Sequence, residues 1–290
     1  MTTVEPPRAS RTSEAQQNVR IAARGGAENG ARPNGASAAA TAELPRVSVT
    51  LVMPVLNEAH GLRAIVPRIP DIIGELIVVD GGSTDGSAEV VRDLRPEAMI
   101  VRQDGHGKGN AIKQGLALAR GDIVVTMDAD GSMRPEEIPL FVEKLLDGYD
   151  FVKGSRELPG AGSSDFTRLR RTGNHGLTWV ANRIFGTSYT DITFGFNGYW
   201  RLAIRDPRRL ADGFEFEIQA AVRAGKAGLR TAEIPTYEDA RIGGQSKLHP
   251  FADGWAILTL ILAEAHPRRV TELRSVADFY VTQNSEWPQA

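Results

Sequence analysis

Asp128 and Asp130 stand at the C-terminal end of the apolar run Asp122-Ile-Val-Val-Thr-Met127. Two carboxylates one residue apart on an extended segment project to the same side, so together they can hold one divalent cation. A hard cation held by oxygen ligands and open toward solvent suits a diphosphate. The spacing therefore implies an enzyme acting on a nucleotide-diphosphate substrate. Two other acidic chemistries fail on position. A calcium loop counted from Asp128 needs glycine and glutamate where Met133 and Pro139 stand. An aspartyl-phosphate phosphatase carries its Asp-x-Asp after the first strand, and here the pair follows the fourth predicted one.

The elements that must position this pair alternate along the chain from Val47. Short β-branched runs predict strands at Val47 to Val55, Glu75 to Asp80, Ala98 to Arg102, Ile123 to Met127 and Phe151 to Gly154. Between them, helical patterns predict Glu58 to Val66, Thr84 to Leu94, Asn110 to Ala119 and Pro135 to Leu146. Continuous apolar runs such as Leu76-Ile-Val-Val79 suit a mostly parallel sheet buried on both faces. The fold class is thus α/β, with helices layered on a central sheet, and ligands in such folds collect at the carboxyl ends of the strands. Three polar loops meet there: Pro54-Val-Leu-Asn-Glu58, Asp80-Gly-Gly-Ser-Thr-Asp-Gly86 and Asp128-Ala-Asp130.

Composition narrows the class further. A formal net charge of -2 over 290 residues argues against general nucleic-acid affinity. Zero cysteines exclude disulfides and thiolate metal sites. No apolar run reaches the ~20 residues of a membrane span, and the N-terminal stretch has no hydrophobic signal core. The expected location is cytoplasmic, with any membrane contact peripheral. Residues 1–44, rich in Ala, Gly, Ser, Arg, Asn and Pro, read as a disordered tail; 45–268 form the expected domain and 269–290 a C-terminal tail. Gly105-His-Gly-Lys-Gly109 lacks the Gly-Lys-Ser/Thr ending of a P-loop. It reads as a turn feeding a helix N-terminus, where Lys108 is placed to meet an anion.

Seven ordered segments make the chain resemble a family-two glycosyltransferase of the GT-A fold, and more narrowly the dolichyl- or polyprenyl-phosphate hexose synthases. They are Pro54-x-x-Asn-Glu58, Val79-Asp-Gly-Gly-Ser-Thr-Asp-Gly-Ser87, Gly107-Lys-Gly109, Asp128-Ala-Asp130, Lys153-Gly-Ser-Arg156, Thr193-Phe-Gly-Phe196 and Gly243-Gly-Gln-Ser-Lys-Leu248. The resemblance implies a nucleotide-sugar donor of the GDP-mannose or UDP-glucose type. Pro54, Glu58 and Asp80 would line the nucleoside pocket, with Asn57 and Ser83 in the same loops and Asp80 facing the base. It implies that Asp128 meets the ribose or metal, and that Asp130 ligates Mg²⁺ or Mn²⁺ bridging the diphosphate. Arg156, Arg241 and Lys247 would face the leaving phosphate, and Arg170 or Arg171 the acceptor phosphate. Where the family often has Gln two residues after the second Asp, Ser132 stands here, which leaves metal preference open.

The acceptor decides whether a base is needed. A lipid monophosphate, with a second pKa near ~6, arrives largely ionised, whereas a sugar hydroxyl needs a carboxylate. Glu217 and Glu215 in Gly213-Phe-Glu-Phe-Glu-Ile218 are candidates, with Asp191 behind them; they equally suit N-terminal charge on a helix. Arg168, Arg170 and Arg171, followed by Leu177, Val180, Ile184 and Phe185 at helical spacing, suit a helix on an anionic membrane surface, as does Phe251 to Ala263. An apolar stripe is also what a core-facing helix shows. The expected reaction is inverting, metal-dependent hexose transfer to polyprenyl phosphate at the cytoplasmic membrane face, with a membrane partner protein as a second route to the lipid. Transfer to a hydroxyl of a glycan or metabolite, and a non-catalytic nucleotide-sugar-binding protein, are the alternatives.

Overall fold

Alternating apolar runs and amphipathic segments build a seven-stranded sheet with helices against it. The computed structural model describes residues 47–204, 206–243, 250–265 and 276. The strands are β1 (Val49–Val55), β2 (Glu75–Asp80), β3 (Met99–Arg102), β4 (Ile123–Thr126), β5 (Phe151–Ser155), β6 (Gly162–Ser163), β7 (Asn197–Trp200), β8 (Thr231–Pro235) and β9 (Tyr237–Glu238). The helices are α1 (Ala59–Ile65), α2 (Ser87–Leu94), α3 (Lys108–Leu118), α4 (Ile138–Leu146), α5 (Arg168–Phe185), α6 (Glu215–Lys226) and α7 (Pro250–Glu264). The expected tail at 1–44 and nearly all of 269–290 fall outside the described residues.

The sheet order is β3-β2-β1-β4-β7-β5-β8, and β6 pairs separately with β9. β1, the centre of the nucleotide half, pairs parallel with β2 and β4, bringing the ends of all three to one edge. Leu51, Val52, Ile77, Val78, Val124 and Val125 are fully buried, as two-sided coverage of a parallel sheet requires. One strand departs from the parallel reading: β7 runs antiparallel between β4 and β5. Its Asn197-Gly-Tyr-Trp200 sequence shows no strand alternation, because all four residues are buried. Gly198 is needed there, since a Cβ would lie 3.0 Å from that of Phe141. β8 is an edge strand, which is where its terminal Pro235 is tolerated.

The long helix α5 begins at the N-cap Thr167, whose hydroxyl accepts from Arg170 N, and ends at Gly186 in the left-handed conformation (φ 67°). Its buried face is Asn174, Thr178 and Ala181. Leu177, Val180 and Phe185 of the expected apolar stripe are half-buried against the core. The apolar side chains α5 exposes most are Leu169 (59%) and Trp179 (68%).

One helix sits unusually close to the acidic loop. A Cβ on Gly61 of α1 would lie 2.3 Å from the Ala129 carbonyl oxygen and 2.7 Å from the Asp130 carbonyl carbon. Gly61→Ala must push α1 off that loop, and overpacking of this kind costs about 1–3 kcal/mol. Thermal unfolding checks it; an unchanged midpoint would mean the contact is looser than these distances.

Candidate active site

β1 and β2 end in loops that hold each other. Ser83 N and Oγ both donate to Asp80 Oδ1 (2.9 and 2.6 Å), and Ser83 Oγ accepts from Asn57 N (2.9 Å). Asn57 Oδ1 accepts from Thr84 N (2.8 Å), with the Asn57 backbone itself left-handed (φ 58°). Asp85 accepts from Ala59 N, at the start of α1, and from Ser87, whose hydroxyl accepts from Glu58 N. Burial opposes ionisation of Asp85, but these donors outweigh it and hold the carboxyl below its usual range. Asn57 and Ser83 therefore brace the two loops. Asp80 keeps its second carboxylate oxygen without a hydrogen bond among the described residues.

Asp128 and Asp130 lie beyond β4 in irregular and bent backbone, so they are not on an extended strand as their spacing suggests. Their carboxylates find different partners. Lys108 Nζ sits 2.6 Å from Asp128 Oδ1 and 2.6 Å from Glu217 Oε1. Asp130 Oδ1 accepts from Ser132 N and Oγ (2.9 and 2.7 Å), and its Oδ2 meets Arg241 Nη2 at 3.0 Å. Ser132 thus fixes the rotamer of Asp130. Burial, Glu217 and Asp130 push the Asp128 carboxyl up to about 6 against the pull of Lys108. Burial works against a charged Lys108, yet Asp128 and Glu217 outweigh it and raise its pKa.

Close backbone approach makes this charge cluster. Gly107 and Gly109 flank Lys108, and a Cβ on either would lie 2.3 Å from the Asp212 or Ala211 carbonyl oxygen. α3 can therefore start against the loop that precedes α6, which carries Glu217. On the other side a Cβ at Gly195 would lie 2.4 Å from Glu217 Oε1 and 2.7 Å from Lys108 Nζ. Both glycine-bearing segments leave room for one ion pair.

The strap 239–243 crosses the acidic loop. Asp239 N donates to Ser132 O (2.8 Å) and Ile242 N to Asp130 O (2.9 Å), while Arg134 grips Asp239 through two 2.7 Å bonds. Lys247, expected to act with Arg241, lies outside the described residues.

A cavity of about 460 Å³ joins these groups to a second basic centre. Pro54, Leu56, Glu58 and Gln103 line one end, and Lys108, Asp128, Asp130, Glu217 and Arg241 line the middle. The other end holds Arg156, Arg170 and Asn174 among Phe166, Leu169, Leu177, Phe194 and Ile257. Asp80, Asn57 and Ser83 are not in its wall; Asp80 is next to it through Gln103, whose N–H donates to Asp80 O (2.8 Å).

The Arg156 guanidinium is buried. It binds both oxygens of Asp191 (2.7 and 3.0 Å), Glu238 Oε2 (3.1 Å) and Thr193 Oγ1 (3.1 Å), and lies over the Phe166 and Phe194 rings. Burial disfavours its charge, but Asp191 and Glu238 outweigh that and raise its pKa. Asp191 is consequently tied up as an ion-pair partner and is not a free base. Arg170 contacts Asp165 only weakly (3.3 and 3.4 Å) and lines the cavity. Arg171 pairs instead with Glu157 (2.5 Å), outside the cavity wall. Of the two expected acceptor-phosphate arginines, the geometry brings only Arg170 to the cavity.

Sequence reasoning missed Asn174. It is 3% exposed, its Oδ1 accepts from Thr193 Oγ1 (2.9 Å), and its Nδ2 is buried without a partner among the described residues. Its place one turn after Arg170 on α5 was the available signal. Lys153 is also wholly buried, bound to Phe194 O and to Asn197 Oδ1 (3.2 Å), and burial pulls its pKa down to about 8. It pins the carbonyl of a residue that lines the cavity.

An open acidic pair at the carboxyl end of a mostly parallel sheet, with cations around it, defines the fold and site of a GT-A glycosyltransferase. A family model described as glycosyl transferase family 2 matches residues 50–206, and the chain belongs to that family. Glycosyltransferase AglJ of Haloferax volcanii is 32% identical, over 72% of this chain and 69% of its own. A dolichyl-phosphate hexose transferase of the same organism is 31% identical (72% and 90% covered). The undecaprenyl-phosphate mannosyltransferase of Micrococcus luteus is 30% identical (73% and 92%). Among solved structures, glucosyl-3-phosphoglycerate synthase from Mycobacterium tuberculosis, in complex with Mn²⁺, UDP and glucosyl-3-phosphoglycerate, superposes with a TM-score of 0.60 at 21% identity, covering 82% of this chain and 88% of that one. The chain is a family 2 glycosyltransferase.

Asp128 and Asp130 could hold a divalent cation as an open two-carboxylate site, the remaining ligands coming from a diphosphate; among the described residues no cluster of three ligating side chains closes it. Arg241 Nη2 sits 3.0 Å from Asp130 Oδ2, one of the oxygens that would ligate such a cation. Arg241→Ala is therefore expected to tighten Mn²⁺ binding to the nucleotide-free protein while weakening UDP or GDP binding in its presence. Calorimetry checks both signs, and weaker metal binding in the variant would show that Arg241 supports the site and does not compete for it.

Proposed function

We propose that the enzyme transfers a hexose from a nucleotide diphosphate sugar to polyprenyl phosphate with inversion at the anomeric carbon. One observation carries this reading: the cavity links the acidic pair to a second anion site, built from Arg170 and the Asn174 donor, unpaired among the described residues, beside the engaged Arg156 and within an apolar wall. A phosphate on an apolar tail matches that chemistry. The carboxylates nearest the junction are already engaged, Glu217 by Lys108, Asp191 and Glu238 by Arg156. An acceptor that is already anionic needs no base from them. The polyprenyl- and dolichyl-phosphate transferases among the relatives support the same acceptor class.

In this reading Asp128 and Asp130 hold Mg²⁺ or Mn²⁺, which supplies positive charge to the diphosphate as it leaves. UDP complexes with Mn²⁺ and with Mg²⁺ are known for the similar synthase. Lys108 and Arg241 add fixed and movable cations where that charge develops. Arg170 and Asn174 hold the acceptor phosphate so that one of its oxygens faces the anomeric carbon. Arg156, already neutralised by two carboxylates, orients this end through Thr193 and the aromatic rings. Glu217 is a positioning residue for Lys108.

The acceptor is brought in from a membrane surface. Among the described residues no helix is long and apolar enough to cross a membrane. α5 and α7, which both line the acceptor end of the cavity, expose Leu169, Trp179, Trp255 and Leu262. Arg168, Arg171 and Arg183 on α5 add positive charge suited to anionic lipid. We assign this face to the cytoplasmic leaflet, where the donor is made available.

Purified protein with Mg²⁺ or Mn²⁺, polyprenyl phosphate and a panel of UDP- and GDP-hexoses is expected to yield a lipid-phosphate hexose by mass spectrometry. Asp130→Ala should abolish it. Glu217→Gln should cost less than the ~10²-fold of a lost general base, and a larger loss would favour a hydroxyl acceptor. A Trp179→Ala/Trp255→Ala double variant should fail to float with anionic vesicles yet still use a short, water-soluble prenyl phosphate. Wild-type protein that binds no vesicles at any salt would remove the membrane-surface assignment.

A further inference from the structure

The donor reading leaves the nucleoside base open, and one side chain in the cavity wall bears on it. Gln103 follows β3, directly beside Asp80 at the end of β2, and lines the cavity. Its side-chain Nε2 donates to the Gly107 carbonyl (2.8 Å) and to Asn110 Oδ1 (2.9 Å). A backbone carbonyl can only accept, so the Gly107 contact fixes which end of the amide is nitrogen. Both Nε2 protons are thereby used, and the amide cannot turn without losing two bonds.

The oxygen is left over. Gln103 Oε1 accepts no hydrogen bond among the described residues, and it lies against Gly81, where a Cβ would come within 2.9 Å of it. A side chain at position 81 would thus press on this oxygen. Gly81 is the residue after Asp80, whose own second carboxylate oxygen is also without a hydrogen bond among the described residues. Two acceptors stand at adjacent strand ends, each held by its own hydrogen bonds: Gln103 in the cavity wall near Pro54 and Leu56, and Asp80 next to it behind that wall.

We propose that Gln103 is a specificity-determining residue for the donor, its Oε1 accepting the ring N–H of an oxo-base. The inference rests on the nucleotide-sugar reading above and assigns to one residue the choice of a UDP or GDP donor. Uracil and guanine each carry a ring N–H on the Watson–Crick edge. Cytosine and adenine present a bare ring nitrogen at that position, an acceptor that would face an acceptor. A site held in one hydrogen-bonding sense rejects the base of the opposite sense because its own polar atom is left unpaired. Gln103 therefore sets the class of nucleotide, UDP or GDP against CDP or ADP, and the sugar is chosen elsewhere in the cavity.

The test measures affinities of the full-length protein for UDP, CDP, GDP and ADP with Mn²⁺ by calorimetry. Wild type is expected to favour UDP over CDP, or GDP over ADP. Gln103→Met, similar in length but without the acceptor, should weaken the favoured nucleotide roughly tenfold, the worth of one hydrogen bond, and bring the ratio toward one. Asn110→Ala removes one of the two bonds that hold the amide, so turning it then costs only the Gly107 contact, and should lower the ratio in part; it decides the matter if Gln103→Met does not fold. A Gln103→Met protein that loses affinity for all four nucleotides equally would show that Gln103 only braces the Gly105–Gly107 turn, and would overturn the proposal. Asp130→Ala separates the two levels: it should weaken all four nucleotides, and a wild type that binds none of them would remove the donor reading itself.

Discussion

The constraint on which the rest of this structure depends is the charge at the end of β4. Asp128 and Asp130 are drawn largely out of water, and a carboxylate so placed is costly unless a cation meets it. Lys108 answers Asp128 and Arg241 answers Asp130, but the two answers differ in kind. Lys108 is anchored from behind by Glu217, whose side chain is 4% exposed, and lines the cavity. Arg241 comes from a strap tied on by two backbone hydrogen bonds and the Arg134–Asp239 pair, and its guanidinium meets Asp130 at 3.0 Å.

Much of the surrounding architecture follows from fitting that cluster together. Gly61 lets α1 meet the backbone of the acidic loop, Gly107 and Gly109 let α3 start against the loop before α6, and Gly195 clears the space that Lys108 and Glu217 fill. These glycines act by the absence of a side chain, because the groups around them approach to distances a Cβ does not allow. The apolar sheet gives the cluster a rigid base. β1, β2 and β4 have the same direction, so their ends deliver three loops to one edge, while the antiparallel β7 carries the Phe194–Gly195 wall up to them.

The second basic centre is arranged on different terms. Arg156 is fully engaged by Asp191, Glu238 and Thr193 and lies over two aromatic rings, which leaves Arg170 and Asn174 as the groups that can take a new anion. α5 carries these groups between a buried small-residue face and an exposed Leu169 and Trp179, so polar donors stand beside an apolar surface. One helix thereby brings polar side chains to the cavity and apolar ones to the surface.

Local pattern carried most of the nucleotide half. Runs such as Leu76-Ile-Val-Val79 and Ile123-Val-Val-Thr126 are apolar because their strands are covered on both faces, and period and composition report that without any partner in view. The acidic pair, the glycine-flanked Lys108 and the basic start of α5 were legible for the same reason, since residue type and short spacing carry the chemistry. What tertiary structure decided was pairing over long sequence separation. Lys108 with Glu217, Arg241 with Asp130 and Arg156 with Asp191 join residues that no local window contains. The fold likewise set the base candidate Glu217 against Lys108, paired Arg171 with Glu157, and placed β7 between β4 and β5 despite a sequence without alternation. They also left Asn174 and Gln103 facing the cavity, because an unpaired donor or acceptor can be recognised only once every neighbour that could satisfy it has been placed.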